Sequence, residues 1–92
     1  MISKMKVLKS ELEFRKYIIL NSNLISKIII FEDSLEGITY FYCFSNDEVI
    51  AATKELSSNI FSKFREIYVK LSKVLNFNFK LNVDQLSIVL YR

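Results

Sequence analysis

The chain has 92 residues, of which 51% are hydrophobic and 25% charged, and its net charge is +3. This length suits a single domain, residues 1–92, with an apolar core, and the hydrophobic share excludes intrinsic disorder. No uncharged stretch exceeds about ten residues, roughly half the length of a membrane-spanning helix. We therefore expect one folded domain without a membrane segment.

Histidine is absent and Cys43 is the only cysteine. A single cysteine forms no intramolecular disulfide, which suits a reducing compartment, and we expect a cytoplasmic protein. Because Cys43 lies in the apolar run Tyr40-Phe41-Tyr42-Cys43-Phe44, we expect its thiol to be buried and unreactive. Ile, Lys, Asn, Phe and Tyr are abundant. Their codons are rich in A and U, which points to an AT-rich genome or a mobile element, and we expect a bacterial or phage protein.

A first helix is predicted over residues 10–20. Ser10-Glu11-Leu12-Glu13 fits a capping box, in which the serine accepts a hydrogen bond from the amide three residues on and the glutamate reaches back. The competing interpretation is a strand over residues 14–20, because Tyr17-Ile18-Ile19-Leu20 is β-branched and aromatic. We favour the helix, with residues 1–9 either extending it or fraying.

A hairpin is predicted next. The run Ile28-Ile29-Ile30-Phe31 indicates a strand over residues 25–32, and a second apolar run indicates a strand over residues 38–44. Gly37, the only glycine, is expected at positive φ in the loop that joins them.

The longest predicted element is a central helix over residues 45–76. It begins with a second capping box, Ser45-Asn46-Asp47-Glu48. Ser57-Ser58-Asn59 is a point where the helix can kink, but the apolar stripe crosses it unbroken, so we keep one helix. The stripe has spacings of three or four and consists of Val49, Ala52, Leu56, Ile60, Phe64, Ile67, Leu71 and Val74.

The remaining residues alternate between apolar and polar. Apolar side chains occupy every second position of residues 77–83, and the alternation resumes over residues 86–91 after Asp84-Gln85, which predicts a second hairpin. The element order is then α-β-β-α-β-β. The predicted fold is α+β, a four-stranded antiparallel sheet of two hairpins with the long central helix packed on one face.

The first predicted hairpin is apolar on both faces, so both faces need cover. In the favoured arrangement the central helix covers one face and the N-terminal helix covers the other. In the alternative, the face with Tyr40 and Tyr42 binds a partner or a second copy of the chain, since tyrosine combines a large contact area with a polar tip. Three acidic residues in and beside the hairpin loop complete this candidate partner-binding set: Glu32, Asp33 and Glu36.

Side chains suited to catalysis are scarce in the sequence. Without histidine the commonest general base and metal ligand is missing, and nothing resembles a Ser-His-Asp or Cys-His arrangement. The three acidic residues offer the oxygen ligands that hard cations prefer, but acids in an exposed loop are usually solvated. We therefore expect no metal, no other cofactor and no enzymatic activity.

A basic region near the N-terminus supports a second hypothesis, nucleic-acid binding. The region can contact phosphates while Tyr40 and Tyr42 stack on bases. Against this, the loop beside the tyrosines is acidic, and the basic residues are far from the tyrosines in sequence. The candidate phosphate contacts are Lys4, Lys6, Lys9, Arg15 and Lys16.

The sequence favours a non-enzymatic protein-binding domain. Within that class we expect a small inhibitor, such as an immunity protein that neutralises a toxin by docking on it. The alternative is a small nucleic-acid-binding or regulatory protein that uses the basic N-terminal region. A homodimer through the tyrosine face is a further option.

Overall fold

A computed structural model of the chain describes residues 5–56 and 59–92. The strands in this part are β1 (Lys6–Val7), β2 (Lys27–Asp33), β3 (Ile38–Ser45), β4 (Glu48–Leu56), β5 (Asn78–Asn82) and β6 (Ser87–Tyr91). The helices are α1 (Glu11–Leu20) and α2 (Ile60–Leu75), with a 3₁₀ turn at Ser22–Leu24.

The strands form one sheet in the order β1-β4-β3-β2-β6-β5. Neighbouring strands are antiparallel except β1 and β4, which pair in parallel through Lys6 with Ala51 and Val7 with Ala52. The predicted α+β class is confirmed. The predicted four-stranded antiparallel sheet is wrong, because β1 and β4 extend it to a six-stranded, mixed sheet.

The predicted helix over residues 45–76 is wrong in its N-terminal part. Residues 48–56 form β4, which pairs along β3 from Ser45 opposite Glu48 to Ile38 opposite Leu56. The supposed capping box is therefore a hairpin turn, in which Asn46 has a left-handed φ of 56°. Asparagine adopts this conformation more readily than most residues, and tight hairpin turns need it. Pairing with β3 and β1 outweighs the helix propensity of this segment.

α2 preserves the second half of the predicted helix. Its N-cap is Asn59, whose side chain accepts a hydrogen bond from the Ser62 amide at 3.1 Å. It ends at Asn76, which has a left-handed φ of 62°. The predicted kink point at residues 57–59 thus coincides with the start of a separate helix, although Ser57 and Ser58 lie outside the described residues.

The apolar stripe of α2 differs from the predicted one at Tyr68 and at Val74. Phe64, Tyr68 and Leu71 are buried, and Ile67 packs against them. Val74, predicted to belong to the stripe, is 78% exposed. The buried stripe therefore runs through Tyr68, an aromatic residue whose polar tip has a partner described below.

α1 begins as predicted. The Ser10 hydroxyl accepts a hydrogen bond from the Glu13 amide at 3.2 Å, and the Glu13 carboxylate accepts one from the Lys9 amide at 2.9 Å. The described residues before Ser10 do not extend the helix, because Lys6–Val7 pairs with β4. Residues 1–4 lie outside the described part of the chain.

Both predicted hairpins are confirmed. β2 pairs with β3, and Gly37 in their loop has a φ of 67°. β5 pairs with β6. The two hairpins join directly, because β6 also pairs with β2, with Ile28 opposite Leu90 and Ile30 opposite Ile88.

Both helices pack on the same face of the sheet. Phe14 and Ile18 of α1 and Phe64 and Tyr68 of α2 belong to one buried cluster. The sheet contributes alternate residues of its strands to this cluster, namely Ile28, Ile30, Phe41, Cys43, Ala51, Ile88 and Leu90. The molecule therefore has two layers, and a single core lies between the helices and one face of the sheet.

A buried carboxylate holds the two helices together inside this core. Glu11 is 4% exposed and accepts hydrogen bonds from Arg15 Nε at 2.8 Å and from the Tyr68 hydroxyl at 2.7 Å. The Glu11 amide donates to the Glu55 carboxylate at 2.9 Å, which ties the start of α1 to β4. Burial and the neighbouring Glu11 carboxylate raise the pKa of Tyr68 well above its usual value, so the phenol keeps its proton and donates.

We expect Glu11→Ala to lower the free energy of unfolding by about 3 kcal/mol, because it strips the buried Tyr68 hydroxyl of its acceptor and leaves Arg15 unpaired. Tyr68→Phe should cost about 1 kcal/mol, since the Glu11–Arg15 pair survives. Urea unfolding measures both. Glu66→Ala is the control because it removes an exposed ion pair, Glu66–Lys70, and should cost less than about 0.5 kcal/mol. Similar values for Glu11→Ala and Glu66→Ala would contradict the role given to the buried network.

The turn between β3 and β4 gives a second prediction. Asn46→Val should lower the free energy of unfolding by about 1–2 kcal/mol, because a β-branched residue is strained at positive φ. Asn46→Gly should change it by less than about 0.5 kcal/mol. Asn78→Val, in an exposed strand position, serves as the control in the same urea titration. If Asn46→Val were tolerated as well as Asn46→Gly, position 46 would not lie in a left-handed turn.

Candidate functional site

One face of the sheet has no helix packed on it in the described part of the chain. We call it the open face. The favoured sequence-based arrangement, with one helix on each side of the first hairpin, is wrong, because α1 and α2 share the opposite face. The apolar side chains that β2, β3 and β6 present on the open face are half-buried. They are Ile29, Phe31, Ile38, Tyr40, Tyr42, Phe44 and Val89.

Three aromatic rings form a triangular group at the centre of the open face, which we call the aromatic cluster. Phe31 on β2 stacks with Tyr40 and Tyr42 on β3, at centroid distances of 5.3 and 5.8 Å. The Tyr40 and Tyr42 rings are 6.3 Å apart and nearly parallel, at 8°. Rings stacked in this way lose little further freedom when a partner contacts them, so the cluster is a preorganised binding surface.

The predicted acidic residues do not all lie on this face. Asp33 and Glu36 lie close to Tyr40, and partial burial, followed by the Glu36 and Asp33 carboxylates, raises the pKa of the Tyr40 phenol. Asp33 also accepts hydrogen bonds from the Leu35 and Glu36 amides. Glu32 is opposite Thr39, which is buried on the helix-covered side. The structure thus brings Tyr40, Tyr42, Asp33 and Glu36 together and separates Glu32 from them.

A groove of about 390 Å³ lies beside the tyrosines, between β1 and β3. Its floor is Ala52 of β4, and Val7 of β1, 73% exposed, forms one wall. Lys9 and Lys54 reach its rim. Met5, Leu8, Tyr40, Tyr42 and Thr53 complete the lining. The sequence-based prediction missed this groove, because it forms only when β1 pairs with β4, and a two-residue strand leaves no periodic signal.

The predicted basic region does not form one surface. Arg15 is paired with Glu11. Lys6 is opposite Ala51 on the helix-covered side, whereas Lys9 lines the groove on the open face. Lys16 is exposed on α1, and Lys4 lies outside the described residues. The structure therefore divides these cations between the two faces.

Arg92 was not singled out by its sequence context, yet it makes several hydrogen bonds. Its guanidinium donates to the carbonyl of Leu75, at the end of α2, at 2.9 Å, and also to the carbonyls of Ser22 and Ile25. It stacks on the Phe77 ring at 3.9 Å. These contacts join the end of α2 to the segment before β2, so we assign Arg92 a structural role.

Within residues 5–56 and 59–92, no group of three or more His, Cys, Asp or Glu side chains is placed to hold a metal ion. Within the same residues, no helix combines the length and the apolar character that crossing a membrane requires.

The fold and the site define a class: a two-layer α+β domain whose helices cover one sheet face and whose other face presents aromatic side chains. Comparisons with protein-family models, with curated proteins and with solved structures gave no match. Function must therefore be inferred from the open face itself.

Cys43 is fully buried on the helix-covered side, and burial raises its pKa to about 12. We expect the native protein at pH 8 to react with a thiol reagent at least about 100-fold more slowly than the urea-unfolded chain, since the thiolate is the nucleophile. Absorbance of the released thiol dye measures the rate. Equal rates in both states would show that Cys43 is accessible.

Proposed function

We propose that this chain is a non-enzymatic protein-binding domain that docks a partner protein on its open face. The observation that carries the proposal is the aromatic cluster of Phe31, Tyr40 and Tyr42, left without a covering element in the described part of the chain. An apolar sheet face rimmed by polar residues is typical of an interaction site.

The dimensions of the open face suit a specific interface. Six strands spaced by about 4.8 Å, with lengths of up to about 27 Å, give a face of roughly 600 Å². A standard interface buries about 800 Å² on each partner, including its rim. The open face is therefore large enough to supply the centre of one such interface.

Rigidity supports an inhibitory role within this function. The Glu11 network and the continuous core fix the sheet behind the open face, so docking needs little ordering of the domain. A small rigid domain that covers a functional surface of a larger protein blocks it by occlusion. An immunity protein that neutralises a toxin is the form of this function that we favour.

Charges beside the aromatic cluster favour one orientation of the partner. Asp33 and Glu36 lie on the loop side of Tyr40, and Lys9 and Lys54 line the groove on its other side. Opposite charges on two sides of a contact surface select the docked orientation more than they add affinity. The nucleic-acid alternative has less support, because Arg15 is paired and the remaining cations are divided between the faces.

The proposal predicts that Tyr42→Ala lowers partner affinity by more than about 1 kcal/mol, because removing a central aromatic side chain costs an interface most. A pull-down of the tagged protein from its native cell lysate, washed at moderate and high salt, compares wild type with Tyr42→Ala and Tyr40→Ala. Leu20→Ala is the matched control, since Leu20 is 81% exposed on α1, in the helix layer.

The proposal is supported if wild type and Leu20→Ala retain the same partner protein through the high-salt wash while Tyr42→Ala and Tyr40→Ala do not. Captured nucleic acid that high salt removes would favour the alternative, since phosphate contacts weaken steeply with salt. Thermal unfolding of the variants completes the test. A tyrosine variant that loses as much stability as a core truncation would show that the ring holds the fold together and that the docking assignment is wrong.

A further inference from the structure

The groove beside Tyr40 and Tyr42 combines an apolar interior with a positively charged rim. Its volume of about 390 Å³ lies within the range of about 300–1,000 Å³ typical of ligand pockets. Val7 and Ala52 provide apolar surface at its centre. Such a groove accepts an apolar group the size of one or two side chains.

The rim charges are available to a ligand. Lys9 and Lys54 are both exposed, and neither ammonium group forms an ion pair within residues 5–56 and 59–92. Of the two acidic side chains close to Lys9 in sequence, Glu11 is engaged by Arg15 and Tyr68, and Glu13 accepts a hydrogen bond from the Lys9 backbone amide. Glu55, next to Lys54, is engaged by Lys63 and by the Glu11 amide.

We propose that the groove is the anchor site for the docked partner and takes an apolar side chain that adjoins a carboxylate. This inference rests on the proposed function. The apolar group fills the space over Ala52, against Val7, and the carboxylate lies within reach of Lys9 and Lys54. The two ammonium groups select an anion over a cation, and the apolar floor selects against small, fully hydrated anions.

The chemistry of the site can be tested without the partner. The probes are 4-phenylbutanoate and 4-phenylbutylamine, which share one apolar body and carry opposite charges at pH 7. In ¹H–¹⁵N NMR titrations we expect 4-phenylbutanoate to shift the amides of Val7, Ala52 and Lys54, with a dissociation constant on the order of a few millimolar. The amine should bind at least about tenfold more weakly, since its charge is repelled.

Two double variants separate the groove from general surface charge. Lys9→Met with Lys54→Met keeps the apolar stems and removes the charges, and should weaken 4-phenylbutanoate binding about fivefold or more. Lys16→Met with Lys73→Met removes two exposed lysines from the helix layer and should leave 4-phenylbutanoate binding unchanged. The proposal would be overturned if neither probe bound, if both bound equally well, or if the shifts were confined to α1 or α2. It would also be overturned if the variant with Lys9→Met and Lys54→Met bound 4-phenylbutanoate as tightly as wild type.

The same variants distinguish this inference from the proposed function. If partner binding requires Tyr42 but not Lys9 and Lys54, the proposed docking on the open face stands, and the assignment of the groove as its anchor site is overturned. If 4-phenylbutanoate binds in the groove while Tyr42→Ala loses no partner, the proposed function is wrong, and the assignment of the groove to a docked protein is overturned with it. Loss of the partner with the Tyr42 variant and also with the lysine variant supports both.

Discussion

The buried carboxylate of Glu11 fixes how the two layers fit together. Glu11 lies in the first turn of α1, and its carboxylate accepts hydrogen bonds from Arg15 of α1 and from Tyr68 of α2. Its backbone amide donates to the Glu55 carboxylate of β4. A buried charge is tolerated only when its hydrogen bonds are satisfied. Movement of either helix off this side of the sheet would break the hydrogen bonds of the Glu11 carboxylate, so both helices are held on one face.

The exposure of the other face follows directly from this constraint. With both helices committed to one side, the alternate side chains of β2 and β3 have no covering element among the described residues. Aromatic side chains at these positions bury part of their surface against each other, as the cluster of Phe31, Tyr40 and Tyr42 shows. Their remaining surface is what gives the domain a place to bind another molecule.

Local signals in the sequence were sufficient for much of the fold. The cap at Ser10, the glycine turn at Gly37 and the alternation after residue 76 predicted α1 and both hairpins, because each signal lies within a few residues of the structure it specifies. The helix prediction for residues 48–56 was wrong because the apolar spacing of this segment fits a helix and a strand alike. Its state is decided by pairing with β3 and with the distant β1, which no local pattern encodes.

The candidate site was predicted to a similar extent. The two-sided apolar pattern of β3 identified Tyr40 and Tyr42 as a surface needing cover, which the structure places on the open face. Glu32 lies on the helix-covered side, apart from the tyrosines, because one step along a strand reverses the face. The groove was missed because Lys9 and Lys54, far apart in sequence, become neighbours only through the parallel β1–β4 pair.

The position of β6 in the sheet has a consequence for how the chain folds. β6 lies between β2 and β5, although residues 87–91 are synthesised long after β2. Until they are available, the free edge of β2 presents unpaired backbone groups beside the run Ile28-Ile29-Ile30, an arrangement prone to intermolecular strand pairing. Insertion of β6 closes this edge through contacts of high sequence separation, which fold slowly. From this topology we expect the sheet to be completed late in folding, with the edge of β2 open until then to chaperones that shield unpaired strands.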